Sequence, residues 1–320
     1  MRVFVTGATG FIGSAVVQEL IKAGHQVTGL ARSDAAAKSL LGAGAKVQRG
    51  SIEDLDSLRR GAAAADGVIH TAFFHAFSHA SFSTRLRAIF GGSPGGIFGR
   101  FMKANLDTDR RAIETLGTAL AGPHRALVAI FATMALTPGR LGTEEDAPDP
   151  DAVGGARGLS ENVIMKLAAQ GVRASAVRLP PTVHGEGDHG FIPQLIKIAR
   201  KKGFSAYVGD GRNRWGAVHR LDVAHLLRLA LEKGSAGARY HGVAEQGIQF
   251  RDIAGVIGRH LNVPVVAKSP KEAAALFSWL APFASADNPV SSQRTQEQLA
   301  WQPKQPELMT DLEQANYFKS

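Results

Sequence analysis

Apolar positions recur along this chain with two alternating periods. Arg2 to Thr6 is a short apolar run of strand type, and a helical pattern follows through Gln18-Glu19-Leu20-Ile21. His25 to Leu30, Ala45 to Arg49, Gly67 to Ala72, Arg125 to Phe131 and Arg173 to Leu179 make five further strand-like runs. Between them lie stretches of helical spacing. One covers about Leu55 to Ala64. A second, after Asn105, puts Leu106, Ile113, Leu116 and Leu120 on one side, and a third opens at Ser160-Glu161 with Val163, Ile164, Leu167 and Ala168. Strands alternating with helices predict an α/β fold, a doubly wound parallel sheet with ligands at the carboxyl ends of its strands.

Three stretches stand outside this rhythm. Phe73 to Met102 is an apolar, glycine-rich insertion, rich in phenylalanine between Phe73 and Phe90, and reads either as a wall over a site or as plain surface packing. Tyr207 to Trp215 reads as a hairpin-like turn between short strands. Asp34 is expected to cap the helix that follows Ser33.

Composition narrows the function classes. The 320 residues suffice for one large domain or a large and a small one, and 44% hydrophobic content suits a packed core. No run approaches the roughly 18 apolar residues that cross a bilayer. The N-terminus reads as a strand rather than a secretory signal, and the protein is expected to be cytoplasmic. The absence of cysteine excludes disulfides and thiolate chemistry. The net charge of +9 raises the question of nucleic acid. Yet Arg85-Leu86-Arg87, Arg110-Arg111 and Arg200-Lys201-Lys202 are short runs without interleaved aromatics, so neither nucleic acid nor membrane is expected as a partner. His184 and His189 could bind zinc, but no third ligand is placed beside them, and no metal is expected.

The candidate chemistry begins at the first turn. Gly7, Gly10 and Gly13 give the spacing G-x-x-G-x-x-G between a strand and a helix. Gly7 suits a left-handed turn, Gly10 allows close approach of a ligand to the main chain, and Gly13 allows tight packing of helix on strand. The N–H groups of the helix start then face an anion, such as a dinucleotide pyrophosphate in a Rossmann-type fold. An NAD site usually ends its second strand with an acid that holds the ribose 2′-hydroxyl. Here Ala31 stands in that place and Arg32 follows, so a 2′-phosphate is favoured: NADP(H), with NAD(H) as the alternative.

These residues resemble the short-chain dehydrogenase/reductase superfamily, in its extended branch of NAD-dependent epimerase/dehydratase-like proteins. The resemblance rests on Thr6 to Gly13, Val68 to Ala72, Asn105, Val177 to Gly185, Val218 to Ala224 and Leu299 to Pro303. It implies a Rossmann domain over 1–182, with returning segments around 205–230, and a smaller C-terminal α/β substrate domain over 183–320. It also implies a homodimer through the helices after Asn105 and Ser160. With the glycine motif, it places the cofactor on Gly7, Thr9, Gly10, Phe11, Ile12, Gly13, Arg32, Ser33, Ser51, Ile52, Ala72, Phe73, Arg157, Pro180 and Thr182. By analogy, Tyr207 and Trp215 face a small-molecule substrate; otherwise Trp215 is a core aromatic.

The branch's reaction is carried by a tyrosine and a lysine four residues later on one helical face, and no such pair exists among the three tyrosines here. Alignment puts Val153 and Arg157 in those places. Valine transfers no proton, and arginine stays charged while still able to hold ribose hydroxyls. His75 and Thr133 are the candidate proton donors. Three functions stay open: an oxidoreductase acting without the usual tyrosine, a dinucleotide-binding redox sensor, and a sugar-nucleotide epimerase or dehydratase.

Overall fold

The computed structural model describes residues 1–73, 97–120, 124–314 and 316–319. The first half alternates as its pattern requires: β1 (Arg2–Thr6), α1 (Phe11–Lys22), β2 (Gln26–Ala31), α2 (Asp34–Gly42), β3 (Lys46–Arg49), α3 (Leu55–Ala63), β4 (Gly67–His70), α4 (Ile97–Ala119), β5 (Ala126–Ala132), α5 (Gly155–Ala169) and β6 (Arg173–Leu179). With β10 (Arg239–His241), the strands form a seven-stranded sheet in the order β10-β6-β5-β4-β1-β2-β3. The pairings of β1 with β2 and β4, of β2 with β3 and of β4 with β5 are parallel. Strand order reverses beside β1, so the glycine turn leaves β1 at the topological switch point, where α/β sheets of this kind bind ligands. This is the expected doubly wound Rossmann-type sheet.

Two compact units divide the chain. One comprises Met1–Ile130, Leu159–Ala176 and Leu227–Ala238, the other Phe131–Gly158, Val177–Leu226 and Arg239–Ser320. In the first, Phe4, Val16, Leu20, Ile69, Ile113 and Leu116 are buried between sheet and helices. Helices α4 and α5 approach so closely at Gly117 that a Cβ there would lie 2.8 Å from Leu167 Cδ2. The Arg125 guanidinium closes α3 by donating to the carbonyl oxygens of Ala62, Ala63 and Ala65, as cations do at helix C-termini.

The second unit adds β7 (Thr182–His184), α6 (Phe191–Lys202), β8 (Ser205–Val208), β9 (Arg214–His219) and α7 (Arg220–Lys233), whose last two turns belong to the first unit. After β10 follow β11 (Glu245–Gln249), α8 (Phe250–Leu261), β12 (Val265–Lys268), α9 (Pro270–Phe277), α10 (Ala281–Ser285), α11 (Gln293–Leu299) and α12 (Leu308–Gln314). Its core gathers Ile192, Leu195, Trp215, Phe250, Ile257 and Phe277. A capping box of Ser269 and Glu272 with Pro270 starts α9, and Gly203 at φ +73° ends α6.

Several local expectations are corrected. Residues 97–102 are helical, so α4 begins well before Asn105, and Asn105 lies inside the helix rather than at its start. Helix α5 likewise begins at Gly155, ahead of Ser160. The stretch 207–215 is no hairpin. Strand β8 pairs with β12, whereas β9 pairs with β7 and β11. Ser33, not Asp34, caps α2: its hydroxyl oxygen accepts from Ala36 N–H, and Asp34 is the first helical residue.

Candidate functional site

The dinucleotide cradle lies in the first unit and is built from close backbone packing. Gly7 has φ +68°, and a Cβ there would lie 2.7 Å from Thr71 Oγ1 and 2.8 Å from Ala72 N. Thus the turn after β1 rests on the end of β4, which brings Gly7 and Ala72 together. A Cβ on Gly13 would overlap Gly7 O and sit 2.7 Å from its carbonyl carbon. Gly10 N–H donates to Gly7 O at 2.9 Å. Helix α1 then starts at Phe11 with Gly10 as its cap and no side chain bonded across the end. Such a helix start suits a pyrophosphate. Thr9 and Gly10 are exposed, Phe11 and Ile12 half-buried. The cradle is one that a Cβ would fill, and it fits the group that the motif implies.

Around it stand the other expected contacts of this unit. Ser33 caps α2 and keeps its own hydroxyl hydrogen to donate. Ser51 Oγ accepts from Glu53 N–H at 3.2 Å. Ile52 is buried, while Ala72 and Phe73 are half-buried. His75 lies outside the described residues, as does 74–96 of the expected insertion.

A buried polar chain runs beneath the turn. His70 Nε2–H donates to Asp109 Oδ1 at 3.3 Å, and Nδ1 accepts from the Thr6 hydroxyl at 2.7 Å. The carboxylate on Nε2 fixes that tautomer. All three side chains are buried, and Thr71 adds a bond from its hydroxyl to Thr6 O at 2.8 Å. Thr6, before the glycine turn, is thereby tied through His70 to β4 and α4, and Thr71, against the turn, is tied to β1. Sequence gave no sign of Asp109, which lies 39 positions from His70.

In the second unit the expected reacting groups are already engaged. Thr133 is fully buried, its hydroxyl donating to Asn288 Oδ1 at 2.7 Å while Asn288 Nδ2–H returns a bond to Thr133 O at 3.0 Å. In this arrangement the hydroxyl ties two segments of the unit together. Trp215 is also fully buried; its indole N–H donates to Phe283 O at 3.0 Å and its ring meets Phe250 edge-on. Here it packs as a core aromatic. Tyr207 is half-buried against the same core. Val153 is exposed in the turn ahead of α5, and Arg157 lies in that helix's first turn, so the two do not share a helical face. Pro180 is buried, and the Thr182 hydroxyl, equally buried, has no hydrogen-bond partner among the described residues.

The same unit holds a titratable cluster on the loop after β7. His184 Nδ1–H donates to Asp311 Oδ2 at 2.8 Å, and the His219 ring stands edge-on to His184 at 5.3 Å. Burial pushes the pKa of both histidines down. Tyr317 accepts from Gly185 N–H at 3.0 Å and donates to Asp188 Oδ2 at 3.0 Å. Burial, and then the charge of Asp188, push the Tyr317 phenol up, and burial pushes the Asp188 carboxyl up to about 6. His184 itself is fully buried. His219 Nδ1 accepts from Leu221 N–H at 3.2 Å, holding the turn before Asp222. Among the described residues no group of three or more metal-capable side chains forms a site, and no helix is long and apolar enough to cross a membrane.

Comparison with known proteins places these features. Residues 3–90 match the model of the NAD dependent epimerase/dehydratase family. An uncharacterized protein of Schizosaccharomyces pombe (strain 972 / ATCC 24843) is 48% identical, over 99% of this chain and 100% of its own. A 4-hydroxy-2-methyl-3-oxo-4-farnesyl-3,4-dihydroquinoline-1-oxide ketoreductase of Stigmatella aurantiaca is 28% identical, over 75% of this chain and 67% of its own. Among solved structures, the dTDP-glucose 4,6-dehydratase of Streptomyces venezuelae with NAD and TYD bound superposes with a TM-score of 0.73 at 18% identity, covering 100% of this chain and 97% of that one.

Proposed function

Because this chain belongs to the NAD-dependent epimerase/dehydratase family of the short-chain dehydrogenase/reductase superfamily, we propose that it is an NADP(H)-preferring oxidoreductase acting on a small molecule without the usual tyrosine. The observation that carries the reading is the close-packed turn Gly7–Gly13 at the switch point of the sheet. The similar ketoreductase supports carbonyl chemistry. Gly7 to Gly13 would hold the pyrophosphate, Arg32 and Ser33 the adenosine ribose and its phosphate, and Ser51 with Ile52 the adenine side. The family resemblance would give Pro180 and Thr182 to the nicotinamide end and Arg157 to ribose hydroxyls, and the Thr182 hydroxyl has no hydrogen-bond partner among the described residues. When bound, the nicotinamide supplies or accepts a hydride. The chain's own part is to bind and orient, since Val153 carries no proton and the Thr133 hydroxyl is committed to Asn288. A homodimer through α4 and α5 and a cytoplasmic location belong to the same reading.

That commitment of Thr133 also favours a second reading, a redox sensor that binds the dinucleotide without turning it over. Titration with NADPH, followed by nicotinamide absorbance with a panel of aldehydes, ketones and imines, separates the two. Turnover that persists in Thr133→Val supports the oxidoreductase, and tight binding with no turnover across the panel supports the sensor. Failure of wild type to bind either NADPH or NADH refutes both. For the preference, Arg32→Ala should weaken NADPH much more than NADH, and equal losses would refute the 2′-phosphate assignment. Light scattering tests the dimer.

A further inference from the structure

Arg49 ends β3, and the parallel register sets it directly beside Ala31, the last residue of β2. Ala31 occupies the place where an NAD site would carry its acid. The main chain at Arg49 is held on both sides. Gly50 N–H donates to Ala31 O at 3.2 Å, and the Ser57 hydroxyl donates to Arg49 O at 2.8 Å. Gly50 itself has φ +150°, and a Cβ there would lie 2.5 Å from Ser57 Cβ, so the turn after Arg49 is a glycine turn by necessity. From this fixed base the Arg49 guanidinium reaches the carboxylate of Asp34 in the first turn of α2. Arg32 and Ser33 precede Asp34 in the chain, so two arginines and one acid surround the end of β2.

We propose that Arg49 is a second ligand, beside Arg32, for the 2′-phosphate of NADP, and that Asp34 is the counter-ion which this phosphate displaces. The proposal rests on the dinucleotide reading above and assigns the residues that choose between its two forms. Asp34 is 97% exposed and the Arg49 side chain 55%. An ion pair that exposed contributes little and is readily exchanged. A phosphate near neutral pH carries about −1.5 to −2 charges and presents three acceptor oxygens to the planar arginine fork. It therefore outcompetes a single solvated carboxylate for Arg49. The ribose 2′-hydroxyl of NAD has no such claim, and for NAD the Asp34–Arg49 pair stays closed.

The test is a set of dissociation constants for NADPH and NADH, measured by nucleotide fluorescence on wild type, Arg49→Ala, Arg49→Lys and Asp34→Asn, with thermal unfolding of each variant to establish that it folds. Arg49→Ala should weaken NADPH about tenfold or more, the loss of one charge-assisted contact, and change NADH less than about twofold. Arg49→Lys should recover part of that loss, because the charge returns without the fork. Asp34→Asn should tighten NADPH about two- to fivefold by freeing Arg49. Equal losses of NADPH and NADH in Arg49→Ala overturn the proposal. So does a loss of NADH binding in Asp34→Asn, which would make Asp34 the holder of a ribose hydroxyl. If wild type binds neither nucleotide, the dinucleotide reading falls and takes this proposal with it. If wild type binds both and Arg49→Ala alters neither, only the proposal falls.

Discussion

One substitution, made at two glycines, should have opposite effects. Gly13 lies in the first turn of α1, where a Cβ would overlap Gly7 O and come within 2.7 Å of Gly7 C and 3.0 Å of Thr71 Oγ1. Gly255 lies in the middle of α8, where a Cβ would meet nothing within 4 Å. Alanine in a helix interior is favoured over glycine by about 1 kcal/mol. At Gly255 that gain stands alone, so Gly255→Ala should stabilise by about 0.5–1 kcal/mol. At Gly13 the neighbours are backbone atoms of the turn and cannot swing aside as a flexible side chain would. Overpacking of that kind costs about 1–3 kcal/mol, so Gly13→Ala should be destabilising by about 0–2 kcal/mol after the helix gain is subtracted. The accommodation must come from the turn, which moves the surface offered to a pyrophosphate. NADPH affinity should then drop about tenfold or more, equal to about 1.4 kcal/mol of lost positioning. Thermal unfolding should show Gly255→Ala raised by about 2 °C and Gly13→Ala lowered, and a fluorescence titration reads the affinity. A Gly13→Ala protein that gains stability as Gly255→Ala does and binds NADPH as tightly as wild type would refute the close-packed cradle.

Two further outcomes follow from the buried polar groups. The Asp188 carboxyl is raised from 3.8 to about 6, so between those values the folded protein holds a proton that the unfolded chain has released; its stability contribution is complete below the lower value and lost as pH rises through the upper. Asp188→Asn removes this fall, so urea midpoints should show the variant gaining on wild type between about pH 4 and about pH 7, and an unchanged difference would refute the assignment. His70→Ala leaves the buried Asp109 carboxylate without its donor and should cost about 3 kcal/mol or more. Asp109→Asn should cost less, because its amide oxygen can still accept from Nε2–H. A loss below about 1 kcal/mol in His70→Ala, by urea unfolding, would show that the chain beneath the turn is not a stabilising network.

Elements whose cause is local were legible in the sequence. Apart from the mostly polar β3, each of the first six strands declares itself by an apolar run, most of the helices between them by spacing, and the glycine turn is written in consecutive residues. What was misread depended on backbone conformation or on partners far along the chain. Asp34 looked like a cap by composition, but Ser33 has the extended backbone that lets its hydroxyl reach Ala36 N–H. Tyr207 to Trp215 has the glycines of a hairpin, yet β8 and β9 find different neighbours, β12 for one and β7 and β11 for the other. Trp215 became core because Phe250 and Phe283, 35 and 68 positions away along the numbering, close around it. His184 meets Asp311 across 127 positions, and no periodicity carries such a pairing.

The separation between binding and reaction in this chain has a structural basis. The cradle is made of backbone, and a Cβ on Gly7 or Gly13 would come within 3 Å of its neighbours, so the fold itself holds these glycines in place. The tyrosine place has no such constraint. Val153 is exposed in a turn ahead of α5, and the fold asks nothing of its side chain there. A residue held in place only by its chemistry can be exchanged without cost to folding once that chemistry is not needed. Thr133 is held differently: its hydroxyl donates to Asn288 Oδ1, and Asn288 Nδ2–H donates to the Thr133 carbonyl oxygen. Removing that hydroxyl would leave the buried Asn288 Oδ1 without its donor, at about 1–3 kcal/mol. The seat for the dinucleotide is thus held by close-packed backbone, whereas Val153 stands exposed and Thr133 lies buried against Asn288.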